Sequence, residues 1–421
     1  MAEINDILLG LNPWWKEDIK LVFKHRELYG KMQKFIPLRQ IIALTGLRRT
    51  GKTTLMLKIA EDFIRKGGEN RNVIYFSFDE LRNTELRTII KEYEKLTGKD
   101  CGKGRYLILL DEIQKLSNWE GQLKSLYDSF GKNVKIIISG SESLFIKKKS
   151  KETLAGRLFE FKVDTLTFGE FLQFKGVDLR PISIYGKEMQ KMFDEFLFTF
   201  GFPEMVGIID KEVIKKYVKE GILEKVVYRD IPQLFGIKDT ASLESLLRIL
   251  SDEPGQIVEI GKIAKELNIS RQTAADYLRY LEESFLVRKL YNFSRSKRKV
   301  ERKLKKYYPA VISPELMFRE DKISKSRVFE WLVANQLKAE FFWRDPYKNE
   351  VDVVMVNKEI TPVEIKYGKV DFHGISAFMR KFNSPIAYVI SVDKEGRQKI
   401  NGKNVFIIPA FKFLLQHAPK E

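Results

Sequence analysis

Between residues 40 and 165, short apolar runs rich in β-branched residues alternate with longer amphipathic stretches. Residues 40–44, 73–78, 106–110 and 134–139 read as strands with helices between them, which is the pattern of a parallel sheet. The stretch after the first run places Leu55, Met56, Ile59 and Phe63 on one helical face and ends at Gly67-Gly68, a C-terminal cap signal. From about 185 to 250 the alternation is lost. Residues 187–200 and 211–227 read as helices, separated by the breaker Gly201-Phe202-Pro203. Residues 255–310 form a unit of short helices with a basic end, and residues 327–412 return to a helix, then strands, then alternating elements.

Composition narrows the classes. A chain of 421 residues is too long for one compact core. It is globular in make-up, with 44% hydrophobic and 31% charged residues, and its apolar runs fall well short of the roughly 20 residues of a membrane span. A soluble protein with no membrane partner is expected. The first residues lack the basic and apolar regions of a secretory signal, and Cys101 is the lone cysteine, so a cytoplasmic location is expected. With only His25, His373 and His417, widely separated, neither a zinc site nor a Cys-His pair is available. Metal chemistry must then use carboxylates. The formal net charge of +18 calls for a polyanionic partner, and without a lipid-anchoring feature nucleic acid is the better choice.

One motif carries specific chemistry. Gly46-Leu47-Arg48-Arg49-Thr50-Gly51-Lys52-Thr53 follows an apolar strand and opens an amphipathic helix, with Thr54 next. This G-x-x-x-x-G-K-T spacing wraps backbone N–H groups around phosphates, sets Lys52 on the β/γ oxygens and places the Thr53 hydroxyl on Mg²⁺. ATP and Mg²⁺ are the expected ligands. At the end of the run 106–110, Asp111 is the candidate metal-side acid and Glu112 the candidate base. Ser139-Gly140-Ser141 ends the next strand, where Ser141 either senses the γ-phosphate or merely belongs to a turn. Arg157 is either an arginine finger or one solvated cation among 75. Arg48 and Arg49 lie inside the loop with no derivable role.

These segments, with Leu110-Asp111-Glu112-Ile113-Gln114, Gly156-Arg157 and Leu166-Thr167-Phe168-Gly169-Glu170-Phe171, resemble prokaryotic AAA-related ATPases of the archaeal type over about residues 12 to 235. The resemblance implies a sheet in which the acidic-pair strand is not adjacent to the P-loop strand. Asn12-Pro13-Trp14-Trp15 also resembles that family's N-terminal segment. Its aromatics sit either near adenine or in the core.

Residues 260–270 and 271–278 read as helix, tight turn, helix, with Ser270 as N-cap and Ala264, Leu267, Ile269, Ala274 and Leu278 between them. Arg271, Gln272 and Thr273 open the second helix with side chains suited to phosphates or base edges. The unit resembles a winged-helix module, and the basic stretch Arg295–Lys306 follows where a wing would sit, favouring contact with a polyanion. Farther on, Asp352 on one strand and Glu364-Ile365-Lys366 on the next can meet, the acids to hold Mg²⁺ or Mn²⁺ and Lys366 to orient water at a phosphate. With Glu330 on the preceding helix as a further acidic ligand, residues 313–415 resemble the PD-(D/E)XK nuclease fold.

The expectation is an α/β chain. A P-loop ATPase core with a parallel sheet flanked by helices spans 1–180, a helical lid 181–250, a winged helix 251–312 and a nuclease-like α/β domain 313–421. Its expected role is that of a DNA-associated ATPase, with a second copy of itself among the expected partners, whose C-terminal site cuts or grips DNA of branched or structured form. The competing expectations are a regulatory switch or a DNA remodeller whose nuclease-like domain only binds.

Overall fold

The computed structural model describes residues 2–18, 20–81, 84–140, 152–178, 181–182 and 184–417. The chain divides into two compact units, Met1–Asp164 and Thr165–Glu421.

The first unit is built on five parallel strands: β1 (Ile41–Thr45), β2 (Val73–Ser77), β3 (Tyr106–Asp111), β4 (Val134–Gly140) and β5 (Leu158–Lys162). Their order is β2-β3-β4-β1-β5. Helices such as Lys52–Arg65, Leu86–Thr97 and Trp119–Ser129 connect and flank them, so β1, β2 and β3 are buried along their whole length and β4 almost so. That double coverage is why these strands read as continuous apolar runs. The acid-bearing β3 is separated from the P-loop strand β1 by β4, as the family resemblance implied. The fifth strand escaped the sequence reading. Its segment Leu158-Phe159-Glu160-Phe161-Lys162 lies half exposed at an edge, with charges breaking the apolar run.

Asn12, Trp14 and Trp15 close the opposite edge. The Asn12 amide donates to Tyr75 O at 2.8 Å and accepts from Tyr75 N at 2.7 Å, imitating a neighbouring strand, and both indole N–H groups donate to Val73 O. An unpaired strand edge is a liability that proteins cover. The aromatics of this motif therefore serve packing: they are buried against β2, with Trp14 on Tyr75 and Trp15 on Tyr93.

The second unit begins with helices Phe168–Lys175 and Gly186–Phe198, the first opened by a capping box between Thr167 and Glu170. Phe168, Phe171, Phe193 and Phe196 pack against one another. The expected helix at 211–227 starts as Lys211–Lys216 and continues through widened turns at Tyr217–Leu223 and Val226–Asp230. Helices Ile260–Glu266 and Arg271–Glu283 flank a tight turn with Asn268 at φ 52°, and Ser270 caps the second by accepting from Thr273 N. Strands β6 (Gln256–Val258), β7 (Val287–Asn292), β8 (Lys305–Pro309), β9 (Phe341–Arg344) and β10 (Glu350–Val351) form one sheet in the order β10-β9-β7-β8-β6. The antiparallel pair β7 and β8 brackets the exposed helix Lys297–Arg302, and β9 runs parallel to β7.

A third sheet contains β11 (Val353–Val356), β12 (Ile360–Lys366), β13 (Ile386–Ser391), β14 (Gly396–Ile400) and β15 (Lys403–Pro409), ordered β11-β12-β13-β15-β14. Between β10 and β11 the chain kinks at a single residue, Asp352, where it passes from one sheet to the next. Helix Lys322–Gln336 precedes this region, and His373–Phe382 crosses from β12 to β13. Among the described residues, no helix is long and apolar enough to cross a membrane.

Because Asn12 satisfies the backbone of Tyr75 on both sides, Asn12→Ala leaves a buried N–H and C=O unpaired. The expected cost is about 3 kcal/mol. It will be read as a lowered denaturation midpoint by tryptophan fluorescence, since Trp14 and Trp15 report on the same edge. A midpoint equal to that of the unaltered protein overturns the strand-mimic role.

Candidate functional site

The phosphate loop is shaped by backbone that side-chain-bearing residues resist. Gly46 has φ 141°, and a Cβ there would stand 2.4 Å from Val163 O; Gly51 has φ 96°. Glycine is demanded at both places. Lys52, the first residue of its helix, donates to Gly46 O at 2.9 Å and Leu47 O at 3.0 Å, which holds its ammonium inside the loop. Thr50 is buried and bonds Leu47 O at 2.9 Å, whereas Arg48 is half-buried and Arg49 and Thr54 are exposed. Beneath the loop lies Arg26, a buried residue the sequence reading missed. Its guanidinium donates to Thr50 O at 2.8 Å and to Asp164 O at 2.7 Å, tying the loop to the chain beyond β5.

The acidic half converges on the same place. Thr53 Oγ1 donates to Asp111 Oδ2 at 2.7 Å, across the gap made by β4. Tyr75 OH donates to the same oxygen at 2.9 Å, and Ser139 Oγ donates to Asp111 Oδ1. Burial and the Asp111 charge push the Tyr75 hydroxyl well above its usual range, so it remains a donor. Tyr75 is a site residue with no motif to reveal it: it is one aromatic in a buried strand. Glu112 follows at φ 53°, its N–H bonded to Asp111 Oδ1 and Ser139 Oγ, and its carboxylate accepts from Gln114 Nε2 at 2.6 Å. This left-handed backbone turns Glu112 out of the strand direction, and Gln114 fixes where its carboxylate lies. A hydroxyl and a carboxylate in contact, beside a lysine and a glycine loop, are the donor set that Mg²⁺ with a nucleotide triphosphate takes.

Two expected members stand elsewhere. Ser141 lies outside the described residues. Arg157 precedes β5, whose first residue Leu158 pairs with Ile41, so it sits at the end of the sheet opposite the P-loop. There it bonds Asp128 Oδ1 at 3.2 Å, and five residues of strand rise, roughly 17 Å, separate it from Thr45 at the loop end. It cannot act as an arginine finger in its own chain. Cys101 is buried, and burial, with Glu94 and Asp100 nearby, pushes its thiol up to about 12, which removes it as a nucleophile.

In the second unit, Asp352, Glu364, Lys366 and Glu330 do come together, along with three residues the sequence reading did not assign: Lys306, Tyr308 and Glu350. Asp352 Oδ2 accepts from Ile365 N at 2.8 Å, and Lys366 Nζ lies 2.7 Å from Glu364 Oε1. Tyr308 OH donates to Glu330 Oε1 at 2.7 Å. Lys306, expected in the exposed basic stretch, is instead buried with its ammonium among Glu350, Glu330 and Asp352. The reason is strand alternation, which turns Lys305 outward over Tyr291 and Lys306 inward. Burial and the neighbouring Asp352 charge raise the pKa values of both Glu330 and Glu364. Among the described residues, no three acidic, His or Cys side chains stand close enough to enclose a metal by themselves. Mg²⁺ usually needs only one or two carboxylates and keeps water for the rest, and Asp352 with Glu364 meets that requirement.

The helix-turn-helix presents Arg271 and Gln272 to solvent, but Arg279 is neutralised by Asp276 at 3.0 Å and Glu283 at 3.3 Å. The stronger positive surface is the stretch between β7 and β8. Arg295, Lys297, Arg298, Lys299 and Arg302 are exposed, and Arg295 bonds Phe382 O beside Arg380 and Lys381.

Residues 38–172 match the family model described as an AAA domain, and residues 190–310 match a domain of unknown function. An uncharacterized protein of Haemophilus influenzae is 30% identical over 253 residues, spanning 58% of this chain and 61% of its own length. An uncharacterized protein of Methanocaldococcus jannaschii is 29% identical over 416 residues, covering 91% of this chain and 90% of the relative. The solved structure of AMPPCP-bound DnaA from Aquifex aeolicus aligns with 65% of this chain and 92% of its own at 16% identity, with a TM-score of 0.31, too low to carry an argument. The P-loop, Asp111 and Glu112 all fall within residues 38–172, the segment that is similar to the AAA domain.

Proposed function

We propose that the chain is a DNA-associated ATPase in which ATP hydrolysis licenses the action of the second unit on DNA. The observation that carries the reading is the convergence of Thr53, Asp111 and Glu112 on the rim of the glycine loop. Lys52 and the loop N–H groups bind the phosphates, Thr53 and Asp111 hold Mg²⁺, and Glu112, steadied by Gln114, accepts a proton from the attacking water. Mg²⁺ supplies charge neutralisation at the phosphates and geometric order. Tyr75 and Ser139 keep Asp111 oriented toward the metal position.

The DNA partner is supported by the exposed cations between β7 and β8 and by a winged-helix layout in which that hairpin follows the helix-turn-helix. With Arg279 paired to acids, the surface suits phosphate contact better than base readout. At the C-terminal site Asp352 and Glu364 would hold a divalent ion, Mg²⁺ or Mn²⁺, and Lys366 would orient a water that attacks the phosphorus while one bridging oxygen leaves and takes up a proton, giving phosphodiester hydrolysis. A second reading, a switch whose nuclease-like domain only binds, is favoured by the cation already seated there, Lys306.

Lys52→Ala is expected to abolish binding of a fluorescent ATP analogue. Glu112→Gln should retain binding while turnover falls at least about 100-fold; turnover equal to the unaltered enzyme reassigns the base. In a plasmid and branched-DNA nicking assay with Mg²⁺ or Mn²⁺, Asp352→Ala and Lys366→Ala should each lose cleavage and keep ATPase activity. If the unaltered chain nicks no substrate with either metal, the binding-only switch replaces the nuclease.

A further inference from the structure

The acids of the C-terminal site fall into two halves with different partners. On one side, Lys306 Nζ lies 2.5 Å from Glu350 Oε1, 3.7 Å from Glu330 Oε1 and 3.8 Å from Asp352 Oδ1. Arg344 adds a contact to the other Glu350 oxygen at 3.4 Å, and Tyr308 donates to Glu330. The lysine is almost wholly buried. A buried ammonium persists only where carboxylates compensate its lost hydration, and here three do. On the other side, Glu364 is buried and bonds Lys366 through Oε1, while its Oε2 has no hydrogen-bond partner among the described residues. Four carboxylates are set against Lys306, Lys366 and Arg344, and among their oxygens the buried one without a partner belongs to Glu364. An unsatisfied buried carboxylate oxygen costs free energy unless a cation or donor meets it.

We infer that Lys306 is a built-in counter-cation that commits Glu350 and Glu330, so that the site accepts a single divalent ion, at Asp352 and Glu364. This rests on the reading that Asp352 and Glu364 take such an ion. Two-metal phosphodiester sites hold two ions about 3.5 to 4 Å apart, and here the Lys306 ammonium takes the carboxylates a second ion would need, at 2.5 Å from Glu350 and 3.7 Å from Glu330. A second divalent ion would have to share Glu350 and Glu330 with this fixed charge. Lys306 is thus a positioning residue: it holds the Glu350 and Glu330 half closed and steers the free ion to the Glu364 half.

The test is a Mn²⁺ titration of the full chain without nucleotide, following the free-ion signal by electron paramagnetic resonance. Asp111→Asn serves as the background, to silence the metal ligand of the ATP site. One bound ion per chain is expected, falling to none in Glu364→Gln and remaining one in Glu350→Gln. Lys306→Gln should bind two. One ion in both the background and a folded Lys306→Gln overturns the counter-cation role and leaves the Asp352 and Glu364 reading standing. If Lys306→Gln does not fold, Glu350→Gln decides: loss of the ion there makes Glu350 a ligand and overturns the inference. No ion in the background protein sinks both readings.

Discussion

Five parallel strands deliver their C-terminal ends to one edge of the sheet, and β4 lies between the strand that feeds the P-loop and the strand that ends in Asp111. Two residues 58 positions apart are thereby held a strand's width from each other, and only a side chain reaching sideways can join them. The hydrogen bond from Thr53 to Asp111 is that junction. Everything else around the site adjusts it: Tyr75 and Ser139 donate to Asp111 and fix its orientation, and Arg26 stops the loop from lifting away. The glycines matter for the same reason, since a Cβ at Gly46 would displace the loop by colliding with Val163.

The parts legible in the sequence were those with strong local rules. A glycine loop with lysine and threonine announces itself through spacing, and a strand buried on both faces through an unbroken apolar run. Ser270 as a cap was readable from its position before Arg271. What stayed hidden depends on three-dimensional neighbours. Strand β5 is half exposed, so its charged residues mask it. Tyr75 and Arg26 have ordinary local contexts and gain roles only from what faces them. The Asn12 segment was visible as a motif, yet only the sheet order showed that its partner is the edge of β2, with the tryptophans placed there as cover.

Lys306 is the clearest case of a local rule misapplied. In a run of seven lysines and arginines between Lys297 and Lys306, one more cation looks like surface charge. Strand alternation decides otherwise, because β8 pairs with β6 and β7 and must turn every second side chain inward. Asp352 shows the converse. It was legible as a possible ligand, but its oxygen bonded to Ile365 N also splices two sheets at the kink between β10 and β11. One carboxylate thus serves architecture and charge together.

The hairpin of β7 and β8 and the strand β9 share a single sheet, with the basic helix closing the hairpin and Lys306, paired with Leu290, one residue into β8 from it. Hydrogen-bonded ladders are stiff along their length, whereas linkers are slack. A polymer tugging on the basic helix would therefore not be buffered before the pull arrived at the carboxylates. Only Lys303 and Leu304 stand between the basic helix and the strand that carries Lys306, so charged surface and acid cluster share one short stretch of chain.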